Sequence, residues 1–123
     1  MTAAFRALVI DDDPDLLLLV RRTLEFTAGW QVVTALSGAQ GLELARADPP
    51  DVVLVDLMMP DMDGYEVCRR IKGEPATAAV PVVLLTARRE VDERRLAAVG
   101  AAGFVLKPFQ PDELARRVRE LTG

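Results

Sequence analysis

Short apolar runs alternate along the chain with longer stretches in which apolar residues recur every three or four positions. The short runs, at residues 5–10, 31–35, 52–55, 80–85 and 103–106, predict strands. The stretches between them predict helices, and several carry their own start and stop signals. Asp13-Pro14 offers an N-cap followed by a proline at the first helical position, for a helix that runs to about Thr27 and stops at Gly29. Ser37 and Gln40 read as a capping box for a second helix that ends before Asp48-Pro49-Pro50. A loop at 56–63 leads into a helix at 64–72, and a small or polar stretch at 73–79 reads as a loop. Pro81 is tolerable near the start of the fourth strand. A helix at 91–99 is stopped by Gly100, and Pro111 opens a last helix that runs to about Leu121.

Strands that are each followed by a helix call for a parallel sheet covered on both faces. Residues 52–55 and 82–85 lack clean alternation, as strands buried on both sides should. For five strands the common doubly wound solution is the flavodoxin-like order 2-1-3-4-5, in which ligands bind at the carboxyl ends of the strands beside the switch point between strands one and three. No linker, repeat or low-complexity tract interrupts the 123 residues, so one domain over 1–123 is expected.

Composition narrows the function classes. Half the chain is apolar, enough for a sizeable core, and the net charge of -4 argues against direct nucleic-acid binding by a broad basic surface. Cys68 is the single cysteine, which excludes an internal disulfide and disfavours a cysteine-based zinc site. The chain has no histidine, so imidazole catalysis, imidazole metal ligation and a histidine phosphodonor within it are excluded. The longest uninterrupted apolar run, Leu16 to Val20, falls far short of a membrane span, and residues 1–6 lack the apolar core of a signal peptide. A soluble protein of the cytoplasm is expected.

The chemistry is concentrated where strands end. Strand one ends in Asp11-Asp12-Asp13, strand three in Asp56, strand four in Thr86 and strand five in Lys107-Pro108. In a parallel sheet these ends share one edge, and neighbouring strands lie about 4.8 Å apart. Carboxylates after strands one and three can therefore share one small cation; Mg2+, a hard ion with oxygen ligands at about 2.1 Å, suits two carboxylates and a backbone carbonyl. Without a cation, two unit charges about 4 Å apart repel by roughly 4 kcal/mol at an effective dielectric of 20. Lys107 is the obvious counter-ion and also suits a phosphoryl group, to which Thr86 can offer a hydroxyl. A carboxylate can attack phosphorus and form an aspartyl phosphate, a reaction that asks for position and charge neutralisation more than for acid–base groups.

Four segments carry a family resemblance: Leu8-Val9-Ile10-Asp11-Asp12-Asp13, Val55-Asp56-Leu57-Met58-Met59-Pro60-Asp61-Met62-Asp63-Gly64, Leu84-Leu85-Thr86-Ala87 and Lys107-Pro108-Phe109. In this order and spacing the chain resembles the receiver domain of two-component response regulators over nearly its whole length. The resemblance implies that Asp56 is the phosphoacceptor and that Asp11 and Asp12 form an acidic pocket for Mg2+. Asp12, Asp56 and the backbone carbonyl of Met58 would be direct ligands, with Asp11 acting mainly through a metal-bound water. Thr86 and Lys107 would contact the phosphoryl group, and the Lys107-Pro108 bond would be cis. Thr86 and Phe104 would form the switch that remodels the face made by helix four, strand five and helix five. The partners implied are a sensor histidine kinase or phosphotransfer protein as donor, and an output protein or domain as receiver of the signal.

This chain departs from the family pattern in places. Phe104 stands where tyrosine is frequent, so no hydroxyl can hold the ring outward. The stretch Gly100-Ala101-Ala102-Gly103 before it has no acids to pair with Arg94, Arg95, Arg116 and Arg117 across a dimer of the type many transcription regulators form, so that dimer is not expected. Met58 and Arg88, two residues beyond Asp56 and Thr86, would flank the phosphoryl group; self-phosphorylation from phosphodonors and slow self-dephosphorylation are expected.

Other residues have plainer readings. Asp13 reads as a helix cap. Asp61-Met62-Asp63-Gly64 shares the acid spacing of part of a calcium loop but lacks its twelve-residue ligand pattern, so Asp63 reads as a cap. Cys68 and Ile71 read as core, and Trp30 as half-exposed and without a role. An aspartate-nucleophile phosphatase would place its nucleophile in an Asp-x-Asp motif after strand one and usually carries a cap insertion, for which these loops are too short. A degenerate receiver used only for docking would not need Asp12, Asp56, Thr86 and Lys107 together.

Overall fold

The computed structural model describes residues 4–87 and 91–123. Its strands are β1 (Arg6–Ile10), β2 (Gln31–Ala35), β3 (Val52–Asp56), β4 (Val82–Thr86) and β5 (Gly103–Leu106). Its helices are α1 (Pro14–Ala28), α2 (Gly38–Ala47), α3 (Gly64–Lys72), α4 (Glu93–Val99) and α5 (Leu114–Thr122), the last preceded by a 3-10 turn at Pro111–Glu113. All strand pairs are parallel and the order is β2-β1-β3-β4-β5, the doubly wound arrangement expected from the sequence.

The caps form largely as their residue types dictate. The Asp13 carboxylate accepts from the N–H groups of Asp15 and Leu16, and Asp63 accepts from Glu66 N–H at 2.8 Å. Gly29 closes α1 at φ 69°, a left-handed conformation that glycine adopts without steric cost. Ser37 Oγ accepts from Gln40 N–H at 3.1 Å, but the return arm of that box differs from expectation: Gln40 Oε1 takes the N–H of Leu36, one residue before the cap.

Three boundaries also shift. β4 begins at Val82 rather than at residue 80, because Val80 N–H is already committed to Thr77 O in a turn and Pro81 has no N–H to give. α4 begins at Glu93, since Asp92 accepts from Arg95 N–H and fixes the cap there. The last helix starts in the 3-10 turn and becomes α-helical only at Leu114.

Two cores flank the sheet, and strand alternation divides the residues between them. Leu8, Ile10, Val53, Val55, Val82 and Leu84 face α2, α3 and α4 and pack with Leu42, Val67, Cys68, Ile71 and Leu96. Ala7, Val9, Val52, Leu54, Val83 and Leu85 face α1 and α5 and meet Leu17, Val20, Leu24, Leu114 and Val118. Every residue of β3 and β4 is buried. Full burial of each large aliphatic side chain contributes about 1.5–3 kcal/mol, so the central strands are firmly seated and their ends are fixed in space.

Trp30 corrects the sequence reading. It is 3% exposed rather than half-exposed, because Phe5 lies against its ring at a centroid distance of 4.6 Å and the Arg119 guanidinium covers it at 5.5 Å. Both neighbours come from other parts of the chain, which local patterning does not register. Cys68 is buried as expected; its thiol donates to Val99 O at 3.3 Å, and burial pushes it up to about 11, which makes it unreactive at neutral pH.

α2 lies close against β1 at Gly41, where a Cβ would stand 2.3 Å from Ile10 Cδ1 and 2.7 Å from Cγ1. Ile10 is fully buried and has no room to yield. Gly41→Ala should therefore destabilise the fold by roughly 1–3 kcal/mol in denaturant unfolding, although alanine is the better helix former. An unchanged or raised unfolding midpoint would show that α2 can move off the sheet.

Candidate functional site

The ladder hydrogen bonds continue past the strand ends and carry the site residues to one edge. Asp11 N–H donates to Ala35 O, Leu57 N–H to Leu85 O, and Lys107 N–H to Thr86 O at 2.7 Å. Asp56 pairs in register with Leu85, and Thr86 with Leu106, so the ends of β3, β4 and β5 are in step.

The acids after β1 and β3 converge. One carboxylate oxygen from each of Asp11, Asp12 and Asp56 lies within 4.8 Å of the others. Asp11 is 1% exposed and Asp56 is 8% exposed, whereas Asp12 opens to solvent. Asp11 Oδ1 also accepts from Asp13 N–H at 3.0 Å, which orients its carboxylate. An octahedral cation with oxygens at about 2.1 Å holds its ligands about 3–4 Å apart, so small rotations of these carboxylates suffice to coordinate one. The donor set, all hard oxygen, fits a divalent ion of the Mg2+ or Ca2+ type better than a soft metal.

Lys107 supplies the positive charge. Its Nζ donates to Asp11 Oδ2 at 2.8 Å and to Asp56 Oδ1 at 3.2 Å, bridging the ends of β1 and β3. The Lys107-Pro108 peptide bond is cis, as the resemblance implied. Burial pulls the Lys107 ammonium toward neutrality, but the hydrogen bond and charge of Asp11, joined by Asp56, outweigh it and hold its pKa above the ordinary value. Asp56 moves the other way for a carboxylate. Burial raises its pKa above the ordinary 3.8 and repulsion from Asp11 adds to this, while Lys107 and the Met58 N–H offset only part.

Asp11, Asp12, Asp56, Met58, Thr86 and Lys107 lie at this edge or follow directly from it, whereas Phe104 sits lower on β5, in register with Leu84. Thr86 is buried at the end of β4, and Met58 follows Asp56 with its side chain 54% exposed. Phe104 on β5 is half-buried against the α2–α4 core. Arg88 lies outside the described residues. Within the chain, the Arg95 guanidinium lies 3.5 Å from Asp63 and 4.4 Å above the Tyr65 ring. Arg116 pairs with Glu113 and Glu120, and Arg117 with Glu120. One contact went unread in the sequence. Asp61 accepts from the N–H groups of Gly38 at 3.2 Å and Ala39 at 3.1 Å; a loop acid carries no local sign that it will reach a helix start more than twenty residues away.

The family model of the response regulator receiver domain matches residues 7–119. The chain is 40% identical over 117 residues to the DNA-binding dual master transcriptional regulator RpaA of Synechocystis, covering 94% of this chain and 48% of that protein. It is 42% identical over 120 residues to the response regulator PleD of Caulobacter vibrioides, covering 95% of this chain and 26% of that one. The chain thus spans about half the length, or less, of the curated relatives it matches. Among solved structures it is similar to the chemotaxis response regulator CheY4 of Vibrio cholerae, with a TM-score of 0.89 at 29% identity, covering 97% of this chain and 99% of that one.

The electrostatics make a stability prediction. Because the folded-state pKa of Asp56 is raised, its ionised form opposes folding; the penalty is full above that pKa and absent below the ordinary 3.8. In chelator at neutral pH, Asp56→Asn should therefore melt higher than the parent by on the order of a few degrees. The difference should close as the pH falls through the carboxylate range. A variant that melts lower at neutral pH would show that the Lys107 contact outweighs burial and repulsion.

Proposed function

The chain belongs to the response regulator receiver domain family, and from that premise we propose that Asp56 is its phosphoacceptor, served by Asp11, Asp12, Thr86 and Lys107. The observation that supports this most is the Lys107 ammonium bridging Asp11 and Asp56 inside a cluster of carboxylates.

An Asp56 oxygen attacks the phosphorus of a phosphohistidine on a sensor kinase or phosphotransfer protein. The new O–P bond forms as the P–N bond breaks, and the departing imidazole takes a proton from solvent. With acetyl phosphate as donor, a P–O bond breaks and acetate leaves. Lys107 already contacts Asp56 and needs only a short shift to neutralise a phosphoryl oxygen. The Thr86 hydroxyl donates to another. Asp12, Asp56 and the Met58 carbonyl would hold Mg2+ directly, with Asp11 acting through a water, and the ion when bound would neutralise charge on the carboxylates and the transferring group.

The signal follows from Thr86 moving toward the new phosphoryl group and the Phe104 ring turning into the space it leaves. This remodels the face formed by α4, β5 and α5 for an output protein or domain. The domain works in the cytoplasm; no helix among the described residues is long and apolar enough to cross a membrane. With a net charge of -4 it makes no direct nucleic-acid contact of its own.

Incubation with acetyl phosphate and magnesium, followed by intact-mass measurement, should add one phosphate to the parent and none to Asp56→Asn. Equal addition to both would reject Asp56 as acceptor. Self-dephosphorylation should be slow, because the Met58 thioether cannot orient an attacking water by a strong hydrogen bond. Met58→Asn should hasten the decay of the phosphorylated form by up to about tenfold, the worth of one hydrogen bond; a slower decay would contradict this role.

A further inference from the structure

We infer that Asp61 is a positioning residue of the phosphoacceptor site: it ties the loop that carries Met58 to the start of α2, and so fixes that loop beside Asp56. The inference rests on the reading of Asp56 and its metal ligands given above.

The loop between β3 and α3 is fastened at two places. At its base, Gly64 N–H donates to Leu57 O at 2.9 Å, and a Cβ on Gly64 would come within 2.9 Å of Asp56 O, so the two ends of the loop are pressed together. At its tip, the two Asp61 carboxylate oxygens accept from Gly38 and Ala39, the first two residues of α2. Ser37 takes the third N–H of that helix start, and Gly41 N–H bonds Ser37 O, so Asp61 completes the set. Packing supports the polar tie. The Met62 side chain occupies the volume a Cβ on Gly38 would need, with its Cγ at 2.5 Å and Sδ at 2.9 Å from that point.

Met58 lies between these two fastenings, two residues beyond Asp56, and its N–H helps to lower the Asp56 carboxyl against the cost of burial. Freed at the tip, the loop would still close at Gly64 but would sample other orientations at Met58. The charge state favours the tie. Slight burial raises the Asp61 carboxyl, but the N–H groups of Ala39 and Gly38 outweigh it and hold it below its ordinary range. Asp61 is not among the acids that converge at the strand ends, so it acts through the loop.

The test uses the whole chain and magnesium alone as ligand, read by calorimetry, with melting in chelator and phosphorylation by acetyl phosphate measured alongside. Asp61→Ala should weaken magnesium binding by about tenfold, the usual scale for groups that orient metal ligands, and slow phosphorylation in step. Asp61→Asn, whose amide oxygen still accepts at a helix start, should recover affinity to within about threefold of the parent. Met62→Ala, which loosens the same tip by packing alone, should shift affinity in the same direction as Asp61→Ala and serves if that variant does not fold. Asp51→Ala removes a comparable acceptor from Arg6 N–H at the opposite edge; it should lower the melting temperature and leave magnesium affinity unchanged. Parent-like affinity in Asp61→Ala or Met62→Ala, or no recovery in Asp61→Asn, would overturn the inference while leaving the phosphoacceptor reading intact. A parent protein that neither binds magnesium nor takes phosphate would overturn both.

Discussion

Carboxylates from the ends of two neighbouring strands crowd one edge of a parallel sheet, and one ammonium group bridges a pair of them. Asp11 and Asp56 are each almost fully buried, yet both are held within hydrogen-bonding distance of Lys107. Left alone, such a cluster repels itself, and the raised pKa of Asp56 records that repulsion together with the cost of burial. The chain keeps the cluster nonetheless. Its geometry makes sense for a site that takes up positive charge and then a phosphoryl group, each of which rearranges the same few contacts.

The rest of the molecule holds that edge in place. β1 and β3 pair directly and each is packed from both sides, so the strands that deliver Asp11 and Asp56 have little freedom to separate. Asp13 caps α1 immediately after the acids, and Asp63 caps α3 at the end of the loop that follows Asp56. Each cap converts a flexible strand-to-helix connection into a fixed turn. The site is thus preorganised by backbone hydrogen bonds and core packing, with the Lys107 bridge fixing the carboxylates that they deliver.

The sequence made much of this legible because the governing signals are local. Asp13-Pro14, Gly29, Ser37, Asp63 and Gly100 mark helix ends through their own hydrogen-bonding or conformational chemistry. The strand-end acids, threonine and lysine could be placed on one edge once a parallel sheet was inferred. What escaped depends on partners far along the chain. Trp30 is buried because Phe5 and Arg119 cover it. Gln40 bonds Leu36 instead of closing its box, and Asp61 reaches across to α2. β4 starts late because the preceding turn had already used the N–H of Val80. The side-chain charge network around Lys107 could be expected in kind, but which oxygens it bridges emerged only with the fold.

A buried acid, an ammonium within reach and a neighbouring hydroxyl together make phosphoryl transfer a matter of placement, in keeping with a chain that has no histidine to act as a proton carrier. The most direct measurement is the position of the acyl phosphate itself. After reaction with acetyl phosphate and magnesium, borohydride reduction converts an aspartyl phosphate to homoserine, which peptide sequencing by mass spectrometry locates. The account predicts homoserine at position 56 alone. Homoserine at position 11, 12 or 13, or at none of these acids, would contradict it.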